Sequence, residues 1–167
     1  PQQSDRVVDY RITVALDAAK KQLSGTQRLT WRNPSPTDTV GELQFHLYLN
    51  AFKNTKSTFM KESGGRLRGD EMAKDGWGWI DITSIRTASG ADLKPTLAFI
   101  QPDDGNKDDQ TVVKATLPEP VAPVTRTRPR GSIASLDITA GSSSCSAVMM
   151  VLGISRNTAP TPFFCMK

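Results

Sequence analysis

The feature that most constrains this chain is a strict alternation of apolar and polar residues within the stretch 41–52. The apolar residues are Leu43, Phe45, Leu47 and Leu49, and the polar residues between them are Glu42, Gln44, His46 and Tyr48. Successive side chains of an extended chain point to opposite faces, so this period of two predicts a half-buried β-strand. The alternation stops at residues 50–52, where a long polar stretch begins.

Similar alternation elsewhere predicts further strands. The segments concerned are Tyr10–Leu16, Leu23–Arg32, Trp77–Ile85, Leu93–Ile100 and Thr111–Leu117. Only the short turn 17–21 separates the first two, which is typical of a β-hairpin. Short strands separated by Gly, Pro and Asp turns, with no sustained helical period, predict an all-β fold with antiparallel pairing. The expected architecture is a β-sandwich or a saddle-like sheet.

Irregular positions refine these strand predictions. The spacing of apolar residues slips between Ile82 and Ile85, which indicates a β-bulge. Pro95 cannot donate a ladder hydrogen bond, so its strand is predicted to lie at a sheet edge. The prolines of the segment 118–123 are predicted to close the strand 111–117 for the same reason.

The segment Lys53–Asp75 differs from the rest because it is polar and shows no alternation. It contains several charged residues around the sequence Ser63-Gly64-Gly65. We predict an exposed excursion with a short helical turn near Thr58–Glu62.

A chain of 167 residues is long enough for one domain with a substantial core. No apolar run approaches the ~20 residues that a membrane-spanning helix needs, so no transmembrane segment is predicted. The first residue is Pro1 rather than Met, and a secreted or periplasmic protein with its signal peptide removed is one open interpretation. Cys145 and Cys165 suggest neither a disulfide framework nor a metal-ligand spacing.

The net charge of +4 belongs entirely to the C-terminal tail, residues 124–167. Residues 1–123 carry 16 basic and 16 acidic residues, whereas the tail carries five basic residues and only Asp137. The charge therefore gives no support for an acidic partner of the main body. Both cysteines lie in the tail, and its apolar run 148–152 lacks alternation. We predict a domain over 1–123 and a disordered or irregular tail, and we hypothesise that a reading-frame shift near codon 124 produced the tail.

Three segments occur in a suggestive order along the chain. They are Tyr10–Leu16, then Leu23-Ser24-Gly25-Thr26, then Leu43–Phe52 with the sequence LQFHLYLNAF. Together they resemble the N-terminal domain of zinc aminopeptidases of the aminopeptidase N-like (gluzincin) family. Trp77–Ile82 and Gln101–Asn106 are similar to its bacterial branch, and the resemblance covers residues 8–123. It implies a β-sandwich or saddle domain that packs against a separate catalytic domain.

The family's catalytic residues are missing from this chain. In the family, a His-Glu-x-x-His segment and a downstream Glu bind zinc and supply a general base. His46 is the only histidine here, so that site cannot be built, and no catalytic, cofactor-binding or metal-binding residue is assigned. The segment that anchors the substrate's amino group, which resembles Gly-x-Met-Glu-Asn, is also missing.

The resemblance therefore implies a non-catalytic fragment that is inactive alone. Its partner would be the catalytic zinc-peptidase domain of the same parent chain. That domain would hold the zinc, so no cofactor is expected here, and peptide substrate would be met only indirectly.

Three residues invite a functional interpretation on their chemistry. His46 could bind a metal or act as a base, but no Cys, Asp or second His lies nearby in the sequence, so a structural role is favoured. Trp77 and Trp79 could form a sugar-stacking platform, although a β domain more often uses tryptophan as a packing anchor. A free-standing β-sandwich module that binds carbohydrate or another surface ligand stays open as the alternative function. An intact enzyme of another type is disfavoured because no nucleophile–base or metal constellation is evident.

Two charged segments have ordinary explanations. The loop 103–109 has four aspartates but lacks the ligand order of a calcium-binding loop, so a solvated turn is predicted. The basic run 126–130 has no aromatic residue among its arginines, and no nucleic-acid partner is predicted.

Overall fold

The structure is a computed structural model that describes residues 7–74, 76–123, 133–142 and 150–153. Over these ranges the prediction of an all-β, antiparallel fold is confirmed. The strands are β1 (Val8–Asp17), β2 (Gln22–Arg32), β3 (Val40–Leu47), β4 (Arg66–Leu67), β5 (Asp70–Glu71), β6 (Ile80–Thr87), β7 (Ala98–Phe99), β8 (Val112–Val121), β9 (Ile133–Ser142) and β10 (Met150–Gly153). Helix α1 is Thr58–Ser63, and short 3-10 turns cover Tyr48–Phe52 and Lys94–Thr96.

Two sheets form the body of the sandwich. Sheet A has the strand order β1-β2-β9-β6, and sheet B has the order β10-β3-β8-β7, with antiparallel neighbours throughout. Both sheets contribute to one hydrophobic core. Its members include Leu29 and Trp31 of β2, Leu43, Phe45 and Leu47 of β3, Ile80 and Ile85 of β6, and Val113, Ala115 and Leu117 of β8. Removal of this apolar area from water is the main favourable term in folding.

The alternation in the stretch 41–52 has the predicted result. The inward residues are Leu43, Phe45 and Leu47, each at most 1% exposed, and the outward residues are Glu42, Gln44 and His46. β3 pairs with β8 on one side and β10 on the other. Leu49 is also buried, but it belongs to the 3-10 turn because the strand ends at Leu47.

Several local predictions are confirmed. β1 and β2 form a hairpin with an unbroken register along both strands. The register of β6 against β9 shifts between Ile82 and Ser84, at the predicted bulge. β7 is an edge strand and follows Pro95. Helix α1 lies in the polar excursion, where a short helical turn is predicted.

Two predicted strands are shorter than the sequence pattern indicates. Pro95 lies in the first turn of a 3-10 segment, a position that suits its fixed φ, and only Ala98–Phe99 of the predicted strand 93–100 is paired. Strand β6 begins at Ile80 rather than at Trp77.

The prediction that the prolines after Leu117 close their strand is wrong. β8 continues through Pro118 and Pro120 as far as Val121. Thr116 donates its N–H to the hydroxyl of Thr96, on the side of β7 rather than β3. The register of β3 against β8 shifts between Val40 and Glu42, so residues 117–120 of β8 lie in an irregular part of this ladder, where proline is tolerated. β7 pairs only with the first half of β8, so the prolines remove no ladder bond among the described residues.

Two segments of the tail pair in the sheets. β9 lies between β2 and β6, and β10 pairs with β3. Apolar and polar residues alternate within 133–142, which is typical of a β-strand. The prediction of a disordered or irregular tail did not take this pattern into account. Ala134, Leu136, Ile138 and Ala140 alternate there with Ser135, Asp137 and Thr139. The predicted disorder of residues 124–132, 143–149 and 154–167 falls outside the described residues.

Candidate functional site

The end of the alternating stretch 41–52 is held by Asn50, which is 1% exposed. Its Nδ2 donates to the carbonyl of Gln110 at 2.9 Å, and its Oδ1 accepts from the N–H of Ile80 at 2.8 Å. The carbonyl of Phe52 accepts from the N–H of Gly78 at 3.1 Å. Buried backbone groups need such partners, so Asn50 joins β3 to the start of β6 and to the segment before β8. Sequence reasoning missed this role, for which the only signal is a lone Asn at the end of a strongly alternating strand.

A second buried amide, that of Asn33, holds the exit of β2. Its Nδ2 donates to the carbonyls of Asp38 at 2.7 Å and Val121 at 3.0 Å. Its Oδ1 accepts from the N–H of Ser35 at 3.0 Å. This side chain therefore fixes the proline-rich turn against the end of β8.

His46 lies on the outer face of β3 and is half-buried. Its ring contacts that of Tyr48, with the ring centroids 3.8 Å apart. Burial lowers the pKa of His46, and the charges of Asp109 and Asp103 offset part of that effect. The imidazole is consequently neutral at pH 7. The described residues supply no hydrogen-bond partner for its Nδ1 and no group of three or more metal-ligand candidates.

Asp109 binds protein groups rather than facing solvent. Its carboxylate accepts from the N–H of Thr58 at 2.9 Å, and from both the hydroxyl and the N–H of Thr111, the latter at 2.8 Å. Burial raises the pKa of Asp109, but the hydrogen bonds from Thr111 and Thr58 outweigh this effect and lower the pKa overall. The carboxylate of Asp109 therefore joins the loop 103–109, which we call the acidic loop, to the first turn of α1.

The rest of the acidic loop is held to α1 in a similar way. Asp104 accepts from the hydroxyl of Thr58 and from the N–H of Asn106, and these bonds lower the pKa of Asp104. Asn106 donates to the carbonyl of Lys56 at 2.9 Å, and Lys61 donates to Asn106 at 2.9 Å. Carboxylate oxygens already engaged by N–H and O–H donors stabilise a turn, and they do not form an open ring of ligands for a cation.

The two tryptophans lie in the extended segment that leads into β6. Trp77 and Trp79 are both half-buried, and Gly78 between them is buried. The indole Nε1 of Trp79 donates to the carboxylate of Asp81 at 3.0 Å. Half-burial with a hydrogen-bonded N–H is typical of an amphipathic packing anchor.

The hairpin of β1 and β2 carries the largest exposed apolar feature of the described residues. Ile12, Val14 and Leu16 are 48%, 46% and 55% exposed, and we call them the hairpin strip. Val8 and Tyr10 precede Ile12 on the same face of β1, and both pack against the core. The strip therefore continues the core face of sheet A beyond the part that sheet B covers.

Gly25 lies opposite Val14 in this hairpin, within the Leu-x-Gly step of the sequence. A Cβ on Gly25 would meet the carbonyl oxygen of Thr13 at 3.1 Å, which is tighter than most Cβ contacts. Because the two strands approach so closely here, a glycine fits position 25 better than a residue with a side chain.

Nothing in the described part of the chain forms a helix long and apolar enough to cross a membrane. Over the same residues, no cluster of three or more His, Cys, Asp or Glu side chains could hold a metal ion. The basic run 126–130 lies outside the described residues.

No protein-family model, curated protein or solved structure matches the chain. Membership of the aminopeptidase N-like family therefore stays a prediction that rests on the order of the sequence motifs.

Proposed function

We propose that this chain is a non-catalytic β domain of a zinc aminopeptidase, and that it packs against a catalytic domain outside this chain. In this proposal the catalytic domain holds the zinc and acts on the peptide. The β domain supplies a rigid packing surface.

The observation that carries the proposal is the hairpin strip. Ile12, Val14 and Leu16 extend the core face of sheet A with nothing among the described residues to cover them. Isolated exposed apolar residues are common, but an aligned strip continuous with a core is typical of a surface that another domain covers.

The first test is the coding sequence downstream of this chain. A His-Glu-x-x-His segment with a later Glu, in any of the three reading frames, would support the proposal. Its absence from all three frames would refute a shared parent gene.

The second test measures binding of the purified chain to the catalytic domain so identified, produced separately. Val14→Asp should weaken binding by at least about tenfold, because a carboxylate in an apolar contact loses its hydration. Thr13→Asp places the same charge on the opposite face of the same strand and should leave binding unchanged. Equal effects of the two variants would contradict a role for the strip.

Binding to a glycan panel that is lost on Trp77→Ala would favour the carbohydrate-binding alternative.

A further inference from the structure

The sheet edges of the described residues differ in how well they are protected. β7 is two residues long and β10 is four. The outer side of β6 is covered by the chain that follows it, where the N–H of Leu93 bonds to the carbonyl of Ile85 and Arg86 bridges to Asp92. β1 is ten residues long and has a continuous register, without a bulge. It also contains neither proline nor lysine, two residues that commonly protect edges.

Among the described residues β1 has no partner strand on its outer side, and the backbone groups of that side can be assigned from its pairing with β2. The N–H of Arg32 bonds to the carbonyl of Val7, so Val7 faces β2. In an antiparallel pair, residues alternate between facing the partner strand and facing away. The even-numbered residues of β1 therefore present their N–H and C=O groups outward. Within residues 11–17 they are Ile12, Val14 and Leu16.

The sequence of the exposed half of β1 is complementary to itself. Residues 11–17 read Arg-Ile-Thr-Val-Ala-Leu-Asp, with opposite charges at the two ends and apolar residues at every second position between them. Two antiparallel copies with Val14 opposite Val14 place Arg11 opposite Asp17 at both ends. The carboxylate of Asp17 already contacts the ammonium of Lys20 at 3.2 Å in an exposed pair, and Arg11 of the second copy would share it. Ile12 then lies opposite Leu16, and these even-numbered residues carry the outward backbone groups, so each such pair can exchange both ladder hydrogen bonds.

Moving the centre of the pairing from Val14 to Thr13, which slides the two strands by two residues, breaks the match. With Thr13 opposite Thr13, Asp9 would lie opposite Asp17, which is repulsive.

We propose that the edge of β1 is a self-association site at which two copies of this chain pair antiparallel over residues 11–17, centred on Val14. The contact is isologous and uses both β1 edges, so it closes at a dimer instead of growing into a fibre. It extends sheet A continuously across two molecules, with backbone hydrogen bonds giving affinity and the Arg11–Asp17 pairs giving register. The inference is independent of the proposed function, because it uses the edge of the hairpin and leaves the side chains of the strip uncovered.

The test is sedimentation analysis of the full chain over a concentration series. The expected result is a mass that rises from 18.2 kDa toward a dimer. Val14→Pro removes an outward N–H without removing a bond to β2, and it should weaken dimerisation by at least about tenfold. Val14→Thr keeps the N–H and the branched Cβ, and it should still dimerise.

Charge exchange tests the register. Arg11→Asp and Asp17→Arg should each weaken the dimer, and the double variant should restore it, because the pair is re-formed with its signs exchanged. Circular dichroism of each variant checks that the hairpin is folded. A monomer at every concentration up to about 1 mM would overturn the proposal, since even weak association is populated there. So would a dimer that Val14→Pro leaves intact, or a double variant that stays monomeric.

Discussion

A single buried amide, that of Asn50, satisfies backbone groups from two distant segments of the chain. Asn50→Ala removes the partner of the buried N–H of Ile80 and of the part-buried carbonyl of Gln110. We expect the free energy of unfolding to fall by about 1–3 kcal/mol, the penalty for such unpaired groups. Urea denaturation measures the loss, and Asn54→Ala serves as the control because the amide of Asn54 bonds only an exposed neighbouring N–H. Equal losses in the two variants would show that the Asn50 bonds do not matter.

The buried position of His46 predicts a pH dependence of stability. Its pKa is lowered in the folded state, so below the ordinary value of about 6.5 the unfolded chain takes up a proton first. Because the unfolded state then binds more protons, the free energy of unfolding should decrease as the pH falls through the ordinary histidine pKa of about 6.5. His46 is the only histidine, so His46→Gln should flatten this part of the profile. Parallel profiles of the two proteins would contradict the assignment.

At the scale of elements, the acidic loop and helix α1 depend on each other. Asp109→Ala removes the acceptor for the N–H groups of Thr58 and Thr111. We expect a loss of about 2 kcal/mol in stability and a larger rise in amide exchange in α1 than in β3, since the N–H of Thr58 at the start of α1 loses its acceptor. Asp108→Ala removes a neighbouring exposed carboxylate and is the matched control. An unchanged exchange rate in α1 would refute this coupling.

Some elements could be predicted from the sequence because one local rule decided them. The alternation in 41–52 sufficed for β3, since only one register buries all its apolar residues. The bulge in β6 was visible as a slip in the same period. The path of β8 through its prolines could not be predicted in this way, because it depends on a shift in its pairing with β3, a strand distant in sequence. The roles of Asn50 and Asn33 likewise depend on backbone groups distant in sequence, which no local pattern reveals.

At the scale of the whole molecule, β9 is the element on which sheet A depends. Truncation after Pro123 removes the strand between β2 and β6, which then have no partner on their facing sides. We expect this truncated chain to bind a hydrophobic dye and to lose its cooperative thermal transition. Truncation after Gly153 keeps every described residue and is the control. A sharp transition in the shorter protein would show that β9 is dispensable.

The reading-frame hypothesis for the tail is also decided at this scale. It stays a prediction, and it is tested by translation of the other two frames beyond codon 123. If neither frame resumes an alternating β pattern, the hypothesis is wrong. Residues 133–142 already alternate as a β-strand does, and this part of the tail therefore speaks against the hypothesis.

The position of β9 has a consequence for the order in which the protein can be assembled. Leu23 pairs with Ser142, so a central ladder of sheet A joins residues more than a hundred positions apart. During synthesis the β1–β2 hairpin emerges early, but its inner edge must wait until β9 has left the ribosome. For that interval the backbone groups of β2 that later bond to β9 are open to other strands, and loop closure over so long a segment is slow. The nascent chain is thus most vulnerable to misassembly just before β9 emerges, and a chaperone would have the most effect on yield at that point.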